Sequence, residues 1–235
     1  MKISDDIDQF GSHGTLQLLF NRDLIRSDYW NDRWREIRID ASVKDSIIRE
    51  FSSLLWKKIE HRILKLFSSF SGLKVIELGS GIGTMSLLMA LKGCDVTLVD
   101  YSRYALKRAK DLFGQFGVSP RLVEADILAL PKAFYGEFDV SLSLGLVEHF
   151  KDPDRQRAMD IHTDVLRSGG VAIISVPNAL FMPYRVCMIL WRLRSRQRGK
   201  PLPFEKPFTR GELIRRIRQK ARYYEVFGPS PYPRC

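Results

Sequence analysis

The chain has 235 residues, 45% of them apolar and 28% charged. That composition gives one ordinary globular domain with room for a sizeable core, and excludes a disordered chain. No apolar run reaches the roughly 20 residues that a bilayer span needs, and the acidic start "MKISDDIDQF" does not read as a signal peptide. The net charge of +11 is segregated: residues 1–184 hold 24 basic and 24 acidic residues, whereas 185–222 hold 13 basic against only Glu205 and Glu212. A single-sign segment of this kind points to a partner surface.

Residues 1–20 are polar and carry no periodic pattern. In 21–40 the aromatic residues Tyr29, Trp30 and Trp34 alternate with charges. From Ser42 to Phe70 apolar residues recur at steps of three and four, which predicts helix. The period then changes. Strands are expected at 73–78, 95–100, 120–126, 138–145 and 171–178, and helices at 84–93, 102–117 and 153–170. A further helix at 209–221 leads into a last strand. Strict alternation predicts an α/β fold, a Rossmann-like, doubly wound, mostly parallel sheet with helices on both faces. Such sheets bind ligands at the carboxyl ends of their strands. The expected organisation is an N-terminal helical extension (1–71), a core (72–178), an apolar-basic insertion (179–208) and a C-terminal helix and strand (209–235). Cys94, Cys187 and Cys235 are widely spaced and form no metal-ligand cluster, so no metal is expected and a reducing cytoplasm is the default.

The stretch "VIELGSGIGTMS" (75–86) concentrates the chemistry. Glu77 precedes Gly79, Ser80, Gly81 and Gly83 between a strand and a helix. Glycines there let the backbone approach a ligand, and the helix start offers unpaired N–H groups. The spacing is neither the G-x-G-x-x-G of nicotinamide binders nor a P-loop, which needs Gly-Lys-Ser/Thr. Asp100, 17 residues after Gly83, ends the second strand, where a carboxylate can take hydrogen bonds from both hydroxyls of a ribose. Asp126 ends the third.

These residues resemble the class I S-adenosylmethionine-dependent methyltransferases of the small-molecule and lipid type. "VIELGSGIG" is similar to their first motif, "LVDYS" to the acidic ribose motif, "EADIL" to the adenine motif, "FDVSLSLGLVEHF" to the fourth strand and "LRSGGVAIISVPN" to the fifth. The resemblance covers about residues 72–178. It implies S-adenosylmethionine as cofactor and S-adenosylhomocysteine as product. Glu77 and the 79–83 loop would hold the methionine part, with the Gly79 carbonyl on the ammonium. Asp100 would hold the ribose, Tyr101 would stack near the adenine, Asp126 and Ile127 would frame it, and Leu144 or Gly145 would close over the methionine end. His149 is the candidate base, against a structural role in packing or capping. In some quinone-pathway relatives E-x-x-E-H binds a metal, but Gly145 stands at the first of those positions here.

The resemblance leaves the acceptor to the N-terminal helices and the insertion. That insertion passes from an apolar block, Phe181 to Trp191, into Arg192, Arg194, Arg196, Arg198 and Lys200. Two readings stand: an element lying in a membrane interface, with Tyr29, Trp30 and Trp34 as a neighbouring aromatic face, or a lid with solvated arginines. Nucleic acid is disfavoured, because no aromatic residues interleave with the basic run. Pro229, Pro231 and Pro233 break the seventh strand that relatives carry. Either the sheet stops at six strands or another element covers its edge. The expected function is methyl transfer, O- or N- rather than C-, to a small, apolar or lipid-linked acceptor by a cytoplasmic protein peripheral to a membrane. A non-catalytic, cofactor-binding adaptor and a nucleic-acid methyltransferase are the alternatives.

Overall fold

The computed structural model describes residues 22–197, 202–221 and 223–226. Five strands, β1 (Lys74–Leu78), β2 (Asp95–Asp100), β3 (Arg121–Glu124), β4 (Phe138–Leu144) and β5 (Leu166–Ser175), lie in the order β3-β2-β1-β4-β5, all neighbours parallel. Val75, Ile76, Glu77 and Leu78 of β1 are all buried. A central parallel strand is covered on both faces, so it reads as a continuous apolar run. The chain winds outward from β1 through β2 to β3, then crosses to β4 on the other side. The order therefore reverses between β1 and β4, and a crevice opens at their carboxyl ends. The loop 79–83, Asp100 and the turn 145–150 all lie at that end of the sheet.

Helices α1 (Arg22–Glu36), α2 (Ala41–Glu50) and α3 (Leu54–Phe67) precede the sheet, and α4 (Thr84–Leu91), α5 (Arg103–Gln115) and α6 (Asp154–Asp164) connect its strands. One core joins Val75, Leu98 and Val140 to α2 through α5 by Ile47, Trp56, Ile63, Leu88 and Phe113. The other sets Ile76, Leu78 and Val99 against α6 and Phe208. After β5 come α7 (Met182–Gln197) and α8 (Arg210–Ile217).

Three expectations change. The helical stretch from Ser42 to Phe70 is two helices. Ser53 is extended (φ −66, ψ 147) and its hydroxyl accepts from Trp56 N at 3.0 Å, capping α3. A serine side chain competes with the backbone for such bonds, so it starts helices more readily than it continues them. The helix expected through residue 170 stops at Asp164, and Gly169 and Gly170 lie inside β5. There the register slips from Phe138↔Leu166 to Val140↔Val171, so the glycines mark an irregularity in the ladder. Finally, residues 223–226 form no strand, so the described residues hold five strands where six were expected. Pro229, Pro231 and Pro233, like Arg198 and Lys200, lie outside the described residues. No helix among the described residues is long and apolar enough to cross a membrane.

Candidate active site

The loop after β1 is held from three sides. Ser80 N donates to Val99 O at 3.0 Å, Gly81 N to Asp100 Oδ2 at 2.9 Å, and Gly83 N to Ser80 O at 2.8 Å. Gly79, Gly81 and Gly83 have φ of 62, 54 and 70°, the left-handed region that favours glycine. A Cβ on Gly81 would lie 2.7 Å from two atoms of the Trp34 ring, and one on Gly79 would strike Leu146. The loop is thus roofed by α1 and by the turn after β4. Beneath it Glu77 is 2% exposed. Burial pushes its carboxyl up to about 8, with Ser86 at the start of α4 opposing. One Glu77 oxygen and the Ser80 hydroxyl are buried without a hydrogen-bond partner. Buried polar groups are normally paired, so this loop has polar capacity in reserve for a ligand. An ammonium-bearing group there would favour the ionised carboxylate of Glu77, and the donor set fits the expected cofactor.

Asp100 is 6% exposed at the end of β2. Its Oδ1 accepts from Ser102 N at 2.8 Å while Oδ2 takes Gly81 N. Burial raises its pKa and the two N–H donors pull it back. Each carboxylate oxygen retains acceptor capacity beyond one bond, so the two hydroxyls of a ribose can still be met. Tyr101 beside it is half-buried. Asp126 is exposed, and its Oδ1 caps the short turn 127–129 by accepting from Leu128 N at 2.9 Å. Ile127 is buried in the second core. Those two residues therefore carry a structural duty beside the one expected of them.

The third wall is the turn after β4. Leu144 is half-buried against the core, Gly145 N donates to Ser175 O at 3.0 Å, and residues 147–149 form one tight turn. His149 Nδ1 lies 2.7 Å from Phe204 O. A carbonyl only accepts, so Nδ1 carries the proton and Nε2 is the proton-accepting nitrogen of the neutral ring. Trp30 meets this ring edge-on at 5.3 Å and stacks on Trp34 at 6.1 Å. Trp34 of α1 therefore faces the glycine loop, and Trp30 faces His149. Glu148 is 2% exposed, and burial pushes its carboxyl up to about 8, with Glu205 adding to the rise. Glu205 is itself raised by burial and has one oxygen without a partner.

Glu205, Phe204, Asn31, Ser102 and Leu146 were not foreseen. Asn31 Oδ1 accepts from Ser102 Oγ at 2.6 Å, tying α1 to the start of α5. The strip 204–208 is stitched beneath the turn: Lys206 N donates to Glu148 O at 3.0 Å, and Arg155, 1% exposed, donates to Lys206 O at 2.8 Å and lies over the Phe208 ring. Glu205 had one signal, as an acid between Pro203 and Pro207 in an otherwise basic run.

A parallel sheet of this order, with a glycine loop after its first strand and an acid ending the second, is a Rossmann-like fold of the kind that class I methyltransferases share. Residues 75–170 match the model of the methyltransferase domain family. The chain is 31% identical over 152 residues to 2-methyl-6-phytyl-1,4-hydroquinone methyltransferase 1 of Oryza sativa subsp. japonica, covering 63% of this chain and 44% of that one. It is 31% identical over 121 residues to the ubiquinone biosynthesis O-methyltransferase of Azotobacter vinelandii, covering 51% of this chain and 50% of the relative. The chain thus spans about half or less of the length of these relatives. Magnesium protoporphyrin IX methyltransferase from Synechocystis PCC 6803, solved with bound SAM, shares the fold: TM-score 0.58, 17% identity, covering 91% of this chain and 92% of that one.

Proposed function

We propose that this chain transfers a methyl group from S-adenosylmethionine to the hydroxyl of a small, apolar, quinol-like acceptor. The observation that carries the reading is the loop 79–83, with reserve polar atoms on Glu77 and Ser80 and with Asp100 fixed at its side by two backbone N–H groups. Glu77 and Gly79 would meet the amino-acid end of the cofactor, Asp100 the ribose, and Asp126 with Ile127 the adenine. Bound there, the cofactor supplies a methyl group already activated on a sulfonium, so the protein provides alignment and a dry site. Trp30, Trp34 and Leu146 exclude water and offer flat apolar surface to the acceptor. His149, its tautomer set by Phe204 O, would take the acceptor's proton at Nε2. The hydroquinone and ubiquinone relatives support the acceptor class. A lipid-linked acceptor would be met at a membrane by a cytoplasmic protein resting on its surface.

Calorimetry with S-adenosylmethionine and S-adenosylhomocysteine tests the cofactor. Both are expected to give heat, and Asp100→Ala should weaken each by about 2–4 kcal/mol, since charge-assisted hydrogen bonds are worth about 1.5–3 kcal/mol apiece. A folded sample that takes up neither ligand would sink the assignment.

A further inference from the structure

Helix α7 turns one side toward the protein and an apolar side outward. Tyr184, Met188 and Ser195 are half-buried or buried, at steps of four and seven, and form the face turned toward the protein. Met182, Val186, Ile189, Leu190 and Leu193 are 51–61% exposed. Their spacing, i, i+4, i+7, i+8 and i+11, gathers them at about 100° per residue into an arc about 100° wide. That arc faces away from the packed positions. Leu180, 70% exposed, continues the apolar surface just before the helix. Arg185 and Arg192 fall along one border of the stripe and Arg194 along the other, all exposed. A lid needs its apolar face turned inward, and the apolar stripe of this helix points outward.

We propose that the outward stripe docks the protein on bilayers rich in anionic lipid, with α7 lying in the plane of the interface. The stripe runs 12 residues, Met182 to Leu193, a rise of about 16 Å, against a hydrocarbon core about 30 Å thick, so it enters one leaflet and cannot cross. Arginines on both borders of an inserted stripe place their guanidinium groups at the lipid phosphates while their stems stay against apolar chains. Charge complementarity selects this occupant over a second copy of the chain. A symmetric pair would bring together two segments that each carry 13 basic residues against two acidic ones. The inference rests on the methyl-transfer reading for its purpose, delivery of an apolar acceptor, but the surface stands on its own geometry.

The test is flotation of the full chain with phosphatidylcholine vesicles, with and without phosphatidylglycerol, and calorimetry with S-adenosylmethionine on the same sample. Three arginines near an anionic surface give a preference for the charged vesicles of about 100-fold, at about 1 kcal/mol each. Binding should weaken between about 0.1 M and about 1 M salt, as the Debye length falls from about 10 to about 3 Å. Ile189→Asp with Leu193→Asp, both on the exposed stripe, should abolish flotation and leave cofactor heat unchanged. Absence of flotation with either vesicle overturns the docking surface, and the calorimetric signal then shows whether the cofactor reading survives. Equal, salt-insensitive binding to both vesicles overturns the charge-selective mode. A dimer in sedimentation that the double variant dissociates, without flotation, assigns the stripe to a second copy and overturns the proposal.

Discussion

Glu148 shows how a single side chain can be legible by position and illegible by environment. Its place in "GLVEHF", after the fourth strand, puts it at the mouth of the site. That it is buried beside Glu205 follows only from the strip 204–208 folding back beneath the turn. The consequence is a pH dependence of definite sign. The folded carboxyl binds its proton up to about pH 8, whereas the ordinary value is 4.5. Across that window the folded state holds more protons than the unfolded one. Stability from this group is therefore full below the ordinary value and lost as pH rises to about 8. Glu77 acts in the same direction. Glu148→Gln stays neutral throughout, so its urea midpoint should fall less than that of the parent between about pH 5 and about pH 8. An identical fall in both proteins would mean that Glu148 ionises as an exposed carboxyl does. His149 was readable as a candidate base from its motif, but its proton position was not, because Phe204 lies 55 residues further along the chain.

At the scale of elements, the strands were legible because parallel strands buried on both faces are short, unbroken apolar runs. The expected 95–100 strand is β2 to the residue, and the acid closing it lies at the crevice. The start of β5 was not legible: paired glycines commonly stop helices, and here they sit where the ladder slips. Least legible was α1, whose seat over the glycine loop depends on contacts between segments far apart in sequence. Trp34 over Gly81 makes that seat measurable. Gly81→Ala should cost about 1–2 kcal/mol for left-handed backbone, plus a steric part from the ring 2.7 Å away. In a Trp34→Ala background only the backbone part should remain. Urea denaturation of the four proteins gives the coupling, which for touching residues is about 0.5–3 kcal/mol. Zero coupling would remove α1 from the loop.

For the whole molecule, the two cores lie on opposite faces of one sheet, so the glycine loop, Asp100 and the 145–150 turn are carried by strands fixed from both sides. The rigid scaffold is the part the sequence specified most plainly. The side of the crevice opposite that scaffold is assembled from α1 and from the strip 204–208 after α7, two peripheral elements with little periodic signature. The order β3-β2-β1-β4-β5 also has a consequence in time. Among the described residues β5 pairs only with β4, and residues 171–176 are half-buried where β1 and β4 are sealed. Peptide groups at such a margin can open without breaking the rest of the sheet, whereas those of β1 open only when the domain does. Amide hydrogen exchange should therefore run as a gradient across the molecule, slowest in β1, faster in β5, with the far row of β5 N–H groups replaced first. Uniform protection over all five strands would mean that the margin is covered. The same gradient makes the margins of the sheet, β5 and β3, the places where a thermally stressed molecule begins to come apart, and where stray strands from other molecules would be captured while the crevice at the ends of β1 and β4 was still intact.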